Sequence, residues 1–237
     1  MITLLGVSHV FRIAEPVSFI IKNIWPDAVL VELDGKRYGA VSQGTGPQGD
    51  AGGAPAFRKA AKAQKRMAEE QGSQMGAEFV AAIETGKMIG AVIELIDMDA
   101  EKVMNEAWKE MSFREKMRFS LSALGDKLRP KRRVERTQKM YAENEEEYFA
   151  WMRKKYPTLV RKIIDERDVH MAGKINEASE KYENIVAVIG DGHVEGISKI
   201  LADASIRKIR LKTLMDTDEM NELRSELWSG TKREERE

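Results

Sequence analysis

The chain has 237 residues, of which 42% are hydrophobic and 33% are charged, a composition typical of folded proteins rather than disordered chains. Its 39 basic and 39 acidic side chains balance, so no net charge attracts nucleic acid or an anionic membrane. The lack of cysteine excludes disulfides and thiolate chemistry, restricts side-chain metal ligands to His, Asp and Glu, and agrees with a reducing setting.

We expect neither a membrane span nor a signal peptide in this sequence. No segment reaches the roughly 18–20 apolar residues of a membrane span, and the first residues lack the basic region and cleavage site of a signal peptide. Residues 229–237 form a charged tail, which is either a frayed end or the point where a longer protein was cut. We therefore expect a cytoplasmic protein, with membrane attachment only if the native chain continues past residue 237.

The amino-terminal part of the chain alternates strands and helices. Apolar runs predict strands at 2–7 and 28–33, and an amphipathic pattern predicts a helix near 15–24 between them. So compact a strand–helix–strand unit predicts parallel pairing through a right-handed crossover. The glycine-rich residues 42–54 predict a loop that leaves the sheet where the second strand ends, and we expect a mobile lid over a site there.

The rest of the chain is dominated by helices. A third strand is predicted at 91–96, and residues 99–181 predict helix, with breaks near Ser112, from Gly125 to Pro130, and near Pro157. The remaining predicted elements are helices at about 55–71, 74–87, 194–204 and 216–228, and strands at 185–189 and 206–211. This order predicts an α/β fold in a single domain, residues 1–228, with a mostly parallel central sheet flanked by helices and a long helical insertion between strands three and four.

Two of the three histidines stand in the same short frame. Gly-Val-Ser-His at 6–9 follows the first strand, and Gly-Asp-Gly-His at 190–193 follows the fourth. Because the loops after strand carboxyl ends build the sites of open α/β sheets, we expect the rings of His9 and His193 to lie within about 3–5 Å, close enough to share a metal or do acid–base work. The third, His170, lies in a charged helix, where a surface or packing role is favoured.

Carboxylates gather near the same predicted edge. Glu32 lies inside an apolar strand, and a buried carboxylate needs a cationic partner, a metal or a proton. Asp34 either caps the turn before Gly35 or belongs to the site, and Asp97 is better explained as the N-cap of the next helix. Glu78 stands among small and apolar residues of a helix, where a structural role is favoured.

Two arginines are candidate partners for these carboxylates. Arg37 follows the second strand closely, and Arg167 lies in Glu-Arg-Asp within the helical insertion. Each guanidinium can bind a buried carboxylate, stabilise an oxyanion formed during hydrolysis, or simply lie in solvent. The basic stretch 127–139 meets acidic residues directly afterwards, which favours a solvated helical surface over a nucleic-acid contact.

As a set, five segments resemble the TraB/PrgY family, which is related to the Tiki proteins. They occur in the family's order and span most of the chain. The segments are Gly-Val-Ser-His at 6–9, Val-Glu-Leu-Asp-Gly-Lys-Arg at 31–37, Gly-Ala-Glu-Phe-Val-Ala-Ala at 76–82, Glu-Arg-Asp at 166–168 and Val-Ile-Gly-Asp-Gly-His-Val-Glu-Gly-Ile at 188–197.

The resemblance implies an α/β fold with its Gly-x-x-His motifs at a shared site, and a metal-dependent hydrolase. Tiki members are metalloproteases acting on secreted signalling peptides, PrgY limits a peptide pheromone, and many members continue into carboxyl-terminal membrane segments. The resemblance also implies three metal ligands, His9, Glu78 and His193, and three other site residues, Glu32, Arg37 and Arg167.

Three functions follow as hypotheses. The first is a metal-dependent hydrolase acting on peptides, with zinc, manganese or cobalt as the divalent metal, Glu32 as general base, and Arg37 or Arg167 stabilising the oxyanion. The second is a module that binds and sequesters a signalling peptide without cutting it. The third is a metal-free hydrolase in which a histidine acts directly as the base. A homo-oligomer is compatible with each.

Overall fold

A computed structural model of the protein describes residues 1–8, 11–42, 76–125, 145–202 and 205–234. Within these residues one sheet contains five strands: β1 (Ile2–Val7), β2 (Ala28–Val31), β3 (Val92–Leu95), β4 (Ile185–Gly190) and β5 (Arg207–Ile209). The order across the sheet is β3-β2-β4-β1-β5, and every neighbouring pair is parallel. The predicted α/β class with a parallel sheet is therefore confirmed.

Helices cover both faces of the sheet and fill the insertion. Before and within the insertion lie α1 (Ala14–Ile24), α2 (Gly35–Ser42), α3 (Ala77–Met88), α4 (Ala100–Glu110), α5 (Phe113–Gly125) and α6 (Glu145–Lys155). The insertion ends in one continuous helical segment, in which α7 (Pro157–Val160) passes through a π-helical turn (Arg161–Asp165) into α8 (Glu166–Ser179). After β4 a 3₁₀ turn (Asp191–His193) leads into α9 (Val194–Leu201), and α10 (Leu211–Met215) and α11 (Thr217–Glu234) follow β5.

Each strand sends alternate side chains to opposite faces, and both faces are buried. Leu5 and Val7 of β1 pack with the helices α1, α3, α10 and α11 on one face. Ile2 and Leu4 of the same strand pack with α8 and α9 on the other. The three inner strands, β1, β2 and β4, therefore read as continuous apolar runs. The edge strands β3 and β5 are partly exposed and carry charged residues.

The two histidine motifs belong to neighbouring strands whose outgoing connections diverge. The chain leaves β1 through α1 on one face of the sheet and leaves β4 through α9 on the other. A crevice opens where adjacent strands diverge in this way, and open α/β sheets bind their ligands there. The carboxyl ends of β1 and β4 are the switch point of this sheet.

The expected direct pairing of the first two strands is wrong. β1 and β2 are parallel, but β4 lies between them and hydrogen-bonds to both. The central position in the sheet is occupied by β4, an entirely apolar run whose residues are 0–1% exposed: Ile185-Val186-Ala187-Val188-Ile189.

The helical insertion is confirmed between β3 and β4, and its described breaks fall at Ser112 and Tyr156, just before Pro157. The break predicted from Gly125 to Pro130 lies outside the described residues after Gly125. Two helices, α2 and α10, were not predicted. The predicted helix at 55–71 lies outside the described residues. Among the helices of the described residues, none is long and apolar enough to cross a membrane.

Candidate functional site

Six charged or titratable side chains converge at the carboxyl edge of the sheet, and we call them the edge cluster. Three of them lie one to three residues after the ends of β2, β3 and β4, one comes from α2, and two come from the first turn of α8, directly after the π-helical turn. The six are Glu32, Arg37, Asp97, Arg167, Asp168 and His193.

Glu32 is 5% exposed and uses both of its oxygens. Oε1 accepts a hydrogen bond from Nη2 of Arg167, and Oε2 accepts one from the backbone N–H of Gly190 at 2.5 Å. The expectation that Glu32 is buried and partnered by a cation is confirmed. Its role as a general base stays a prediction.

Arg167 holds the edge cluster together. Its Nε and Nη2 donate to the two oxygens of Asp97 at 2.9 and 2.8 Å, and Nη2 also donates to Glu32. Its Nη1 donates to the carbonyl of Ile163 at 3.1 Å and to Nε2 of His193 at 3.2 Å. A guanidinium has five N–H donors, so these five acceptors account for all of them.

Arg37 is held more loosely. Its Nη1 donates to Oδ2 of Asp97 at 3.1 Å and to the carbonyl of Glu32 at 3.4 Å, and its side chain is 17% exposed. No hydrogen bond joins its Nε or Nη2 to another described residue. Arg37 therefore keeps donors that an incoming ligand can use, whereas Arg167 does not.

His193 is oriented by a carboxylate. Its Nδ1 lies 2.6 Å from Oδ1 of Asp168, and both side chains are buried. An ionised Asp168 can only accept, so the proton of the ring belongs on Nδ1 and the lone pair on Nε2. Nε2 accepts from Arg167 and lies 3.7 Å from Oε1 of Glu32.

Burial and charge act on these groups in different directions. Burial alone would raise the pKa of Glu32, but the charge of Arg167 and the N–H of Gly190 outweigh it and hold the pKa well below its ordinary value. Burial alone would lower the pKa of Arg167, yet the charges of Glu32 and Asp97 raise it. Burial raises the pKa of Asp168, although His193 opposes this.

Of the aspartates that follow β2 and β3, some cap helices and one belongs to the edge cluster. Oδ1 of Asp34 accepts from the N–H groups of Lys36 and Arg37 at 2.9 Å, so the capping alternative for Asp34 is confirmed. The favoured capping role of Asp97 is wrong. Asp99 is the N-cap of α4, accepting from the N–H of Lys102, and Asp97 instead binds both arginines of the cluster.

Two of the three residues implied as metal ligands are described. His193 lies in the edge cluster, and Glu78 is 1% exposed in the first turn of α3. His9 lies outside the described residues, so its approach to His193 stays a prediction, as does the lid formed by 42–54, of which only Ser42 is described. Within the described residues, no three His, Asp or Glu side chains come together as a metal site.

Sequence reasoning missed Asp168 and Asp191. Asp168 reads as one more charged residue of an exposed helix, and only its place beside Arg167 hinted at a role. Asp191 is buried after β4, where it accepts from Nε of Arg210 and from the N–H of Leu211, both at 2.8 Å. A Cβ on Gly6 would lie 2.2 Å from Oδ1 of Asp191, so the glycine of the motif at 6–9 makes room for the aspartate of the motif at 190–193.

The comparisons with known proteins agree with these motifs. A sequence model of the TraB/PrgY/gumN family matches residues 1–212. An uncharacterised protein from Methanocaldococcus jannaschii is 30% identical over 216 residues, which cover 84% of this chain and 53% of that protein. The chain thus spans about half the length of this relative. By the extent of the match, the chain belongs to the TraB/PrgY/gumN family.

Proposed function

We propose that this protein is a metal-dependent hydrolase that acts on peptides. The observation that carries the proposal is the presentation of His193: its Nδ1 is held by Asp168 at 2.6 Å, and its Nε2 lies 3.7 Å from a carboxylate oxygen of Glu32. This pair stands beside the switch point of a parallel sheet, where α/β proteins place their sites.

His193 is oriented as a histidine metal ligand would be, which supports the proposal of a divalent ion. A histidine whose other ring nitrogen donates to a carboxylate is the common arrangement of histidine metal ligands, and His193 has it. His193 would hold the ion together with His9 and Glu78, the ligands that the family motifs imply. Zinc suits such a set, and manganese and cobalt are the alternatives. When bound, the ion supplies Lewis acidity, which polarises a carbonyl and acidifies water.

The arginines then have different roles. Arg37 has donors that bind no other described residue, and it is partly exposed, so it is the better placed of the two to bind a carbonyl oxygen that gains negative charge during hydrolysis. Arg167 is fully engaged. Because it holds the pKa of Glu32 well down, Glu32 accepts a proton only when Arg167 withdraws from it.

Metal content and cleavage test the proposal together. Protein purified without chelator is analysed for metals, and its action on an unstructured peptide library is followed with added zinc, manganese or cobalt. We expect metal-dependent cleavage that His193→Ala abolishes. The matched control is His170→Ala, which removes the histidine of α8 outside the edge cluster and should leave cleavage intact. No cleavage under any of the three metals would contradict the proposal.

A second function is favoured by one specific observation. Every donor of Arg167 already has an acceptor within the described residues, so Arg167 needs no ligand to complete its hydrogen bonds. Such a site suits a module that binds a peptide without cutting it. Calorimetric titration with the same peptides in EDTA distinguishes the two functions, because only the module binds them tightly without a metal and leaves them intact.

A further inference from the structure

We propose that Asp168 is a positioning residue that fixes the tautomer of His193, and that the missing side chain of Gly196 allows it to do so. The inference deepens the proposed function, because both metal binding and proton transfer by His193 need a bare Nε2. The tautomer itself can be measured without any substrate or metal.

The contact joins two separate elements. Asp168 lies in the first turn of α8, and His193 ends the 3₁₀ turn after β4. Their atoms Oδ1 and Nδ1 are 2.6 Å apart in a buried setting, where a charge-assisted hydrogen bond is strong. With the Nδ1 proton held there, the Nε2 lone pair faces Arg167 and Glu32.

Gly196 makes this approach of α8 possible. A Cβ at position 196 would lie 1.9 Å from Oδ2 of Asp168 and 2.9 Å from its Cγ, closer than real Cβ contacts come. Gly196 stands inside the helix α9, where glycine is less favourable than alanine. A glycine in such a place needs a packing reason, and the carboxylate of Asp168 supplies one.

The test reads the ring nitrogens of His193 by NMR. The full chain is labelled with ¹⁵N, and His193 is assigned among only three histidines by its loss in His193→Gln. We expect the wild type to show protonated Nδ1 and bare Nε2, and Asp168→Ala to lose that pattern. The matched control is Asp165→Ala. Asp165 lies in the same helical segment as Asp168 but pairs with Arg153 of α6, so its removal should leave the pattern unchanged.

A second pair of variants repeats the test with Asp168 in place. Gly196→Ala should displace the carboxylate and change the tautomer pattern of His193 in the same direction as Asp168→Ala. Gly173→Ala is its control, because a Cβ at that position in α8 meets nothing within 4 Å. If one variant of the test fails to fold, the other still decides. A wild-type ring protonated on Nε2, or an unchanged pattern in a folded test variant, overturns the proposal.

Zinc affinity separates this inference from the proposed function. If both hold, Asp168→Asn should weaken zinc binding roughly 10–100-fold, since carboxylate partners of ligating histidines have effects of that size. If the tautomer depends on Asp168 and Gly196 but the wild type binds no zinc, manganese or cobalt, the positioning role stands and the metal proposal fails. Tight metal binding that Asp168→Asn leaves unchanged would count against the positioning role.

Discussion

At the scale of single residues, the edge cluster depends on the shape of one guanidinium. Arg167 meets two carboxylates, one carbonyl and one imidazole with its five donors, which lie in a single plane. A lysine has three donors on one nitrogen and could not reach all four groups. The carboxylates that Arg167 neutralises are buried, and they require this cation whether or not a ligand is present.

We therefore expect unequal effects from removing the two arginines. Arg167→Gln leaves Glu32 and Asp97 without their main cation and should lower the free energy of unfolding by about 3–5 kcal/mol. Arg37→Gln should lower it by only about 1 kcal/mol, because Arg167 still holds Asp97. Urea denaturation measures both variants against the wild type. Equal destabilisation by the two would show that Arg167 is not the principal cation.

Although Arg37 should contribute little to stability, we expect it to be important for peptide cleavage. Arg37→Gln is expected to leave a folded protein whose kcat falls by about 10²–10³, the loss typical of a removed oxyanion donor. The initial rate of peptide cleavage, measured for the variant and the wild type at the same metal content, tests this. Normal turnover in the Arg37 variant would remove Arg37 from the mechanism.

The depressed pKa of Glu32 predicts the pH at which its stabilisation disappears. The pKa of Glu32 in the unfolded state is the ordinary 4.5, and its pKa in the folded state lies well below that. At a pH between these two pKa values, the folded state therefore binds fewer protons than the unfolded state. The contribution of Glu32 is complete above about pH 5 and is lost as the pH falls from 4.5 towards the folded pKa.

Comparison with Glu32→Gln isolates this effect, because the amide does not titrate. The difference in unfolding free energy between wild type and variant should be constant from pH 7 to 5 and smaller by about 1 kcal/mol at pH 3.5. Urea titrations at each pH provide the measurement. A difference that grows as the pH falls would mean that the folded pKa of Glu32 is raised.

The residues that sequence could and could not predict differ in one physical respect. Glu32 interrupts an apolar strand, so its burial and its need for a cation follow from pattern alone. Asp97 and Asp168 stand where acidic residues commonly lie, before a helix and in its first turn, and nothing local distinguishes a cap from a member of a buried cluster. Their roles depend on β3 and α8 reaching the same edge of the sheet, which pattern does not specify.

At the scale of elements, one buried carboxylate links two helices of the insertion, α5 and α7. Glu115 of α5 accepts from the N–H and hydroxyl of Ser112 at 3.1 and 3.2 Å. It also accepts from the N–H and hydroxyl of Thr158 at 2.9 Å. A single side chain thus caps the amino ends of two helices, and α7 leads through the π-helical turn to Arg167 and Asp168.

Glu115→Ala should therefore destabilise the protein by about 1–3 kcal/mol, because buried N–H groups of two helices lose their acceptor. Thermal and urea unfolding measure the loss. Glu177→Ala is a suitable control, since Glu177 forms an exposed ion pair with Lys174 on α8 and should matter by less than about 0.5 kcal/mol. If the two substitutions have equal effects, the link between α5 and α7 is not important for stability.

Elements follow from sequence where the pattern is long and apolar. The inner strands β1, β2 and β4 were located in this way, because both of their faces are buried. The helix α2 was missed since its 8 residues include two glycines, Gly35 and Gly39, and only the cap at Asp34 marks its start. The π-helical turn was missed because its hydrogen bonds span five residues instead of four, a shift that leaves no pattern of its own.

At the scale of the whole molecule, the sheet interleaves the two halves of the chain. The order β3-β2-β4-β1-β5 places β4, from the second half, between two strands of the first half. In turn β1, from the first half, separates β4 from β5. Pattern predicts the strands but not this order, because pairing partners are chosen by packing over more than 150 residues of separation.

The interleaved order leads to a last prediction, that neither half folds alone. Residues 1–98 contain β1, β2 and β3, yet β1 has no neighbour without β4 and β5. Residues 99–237 contain β4 and β5, which meet only through β1. We expect no cooperative urea transition from either fragment, a single transition from the full chain, and recovery of the transition when the fragments are mixed. Cooperative unfolding of fragment 1–98 alone would show that β2, β3 and their helices form an independent unit, against the single domain predicted for residues 1–228.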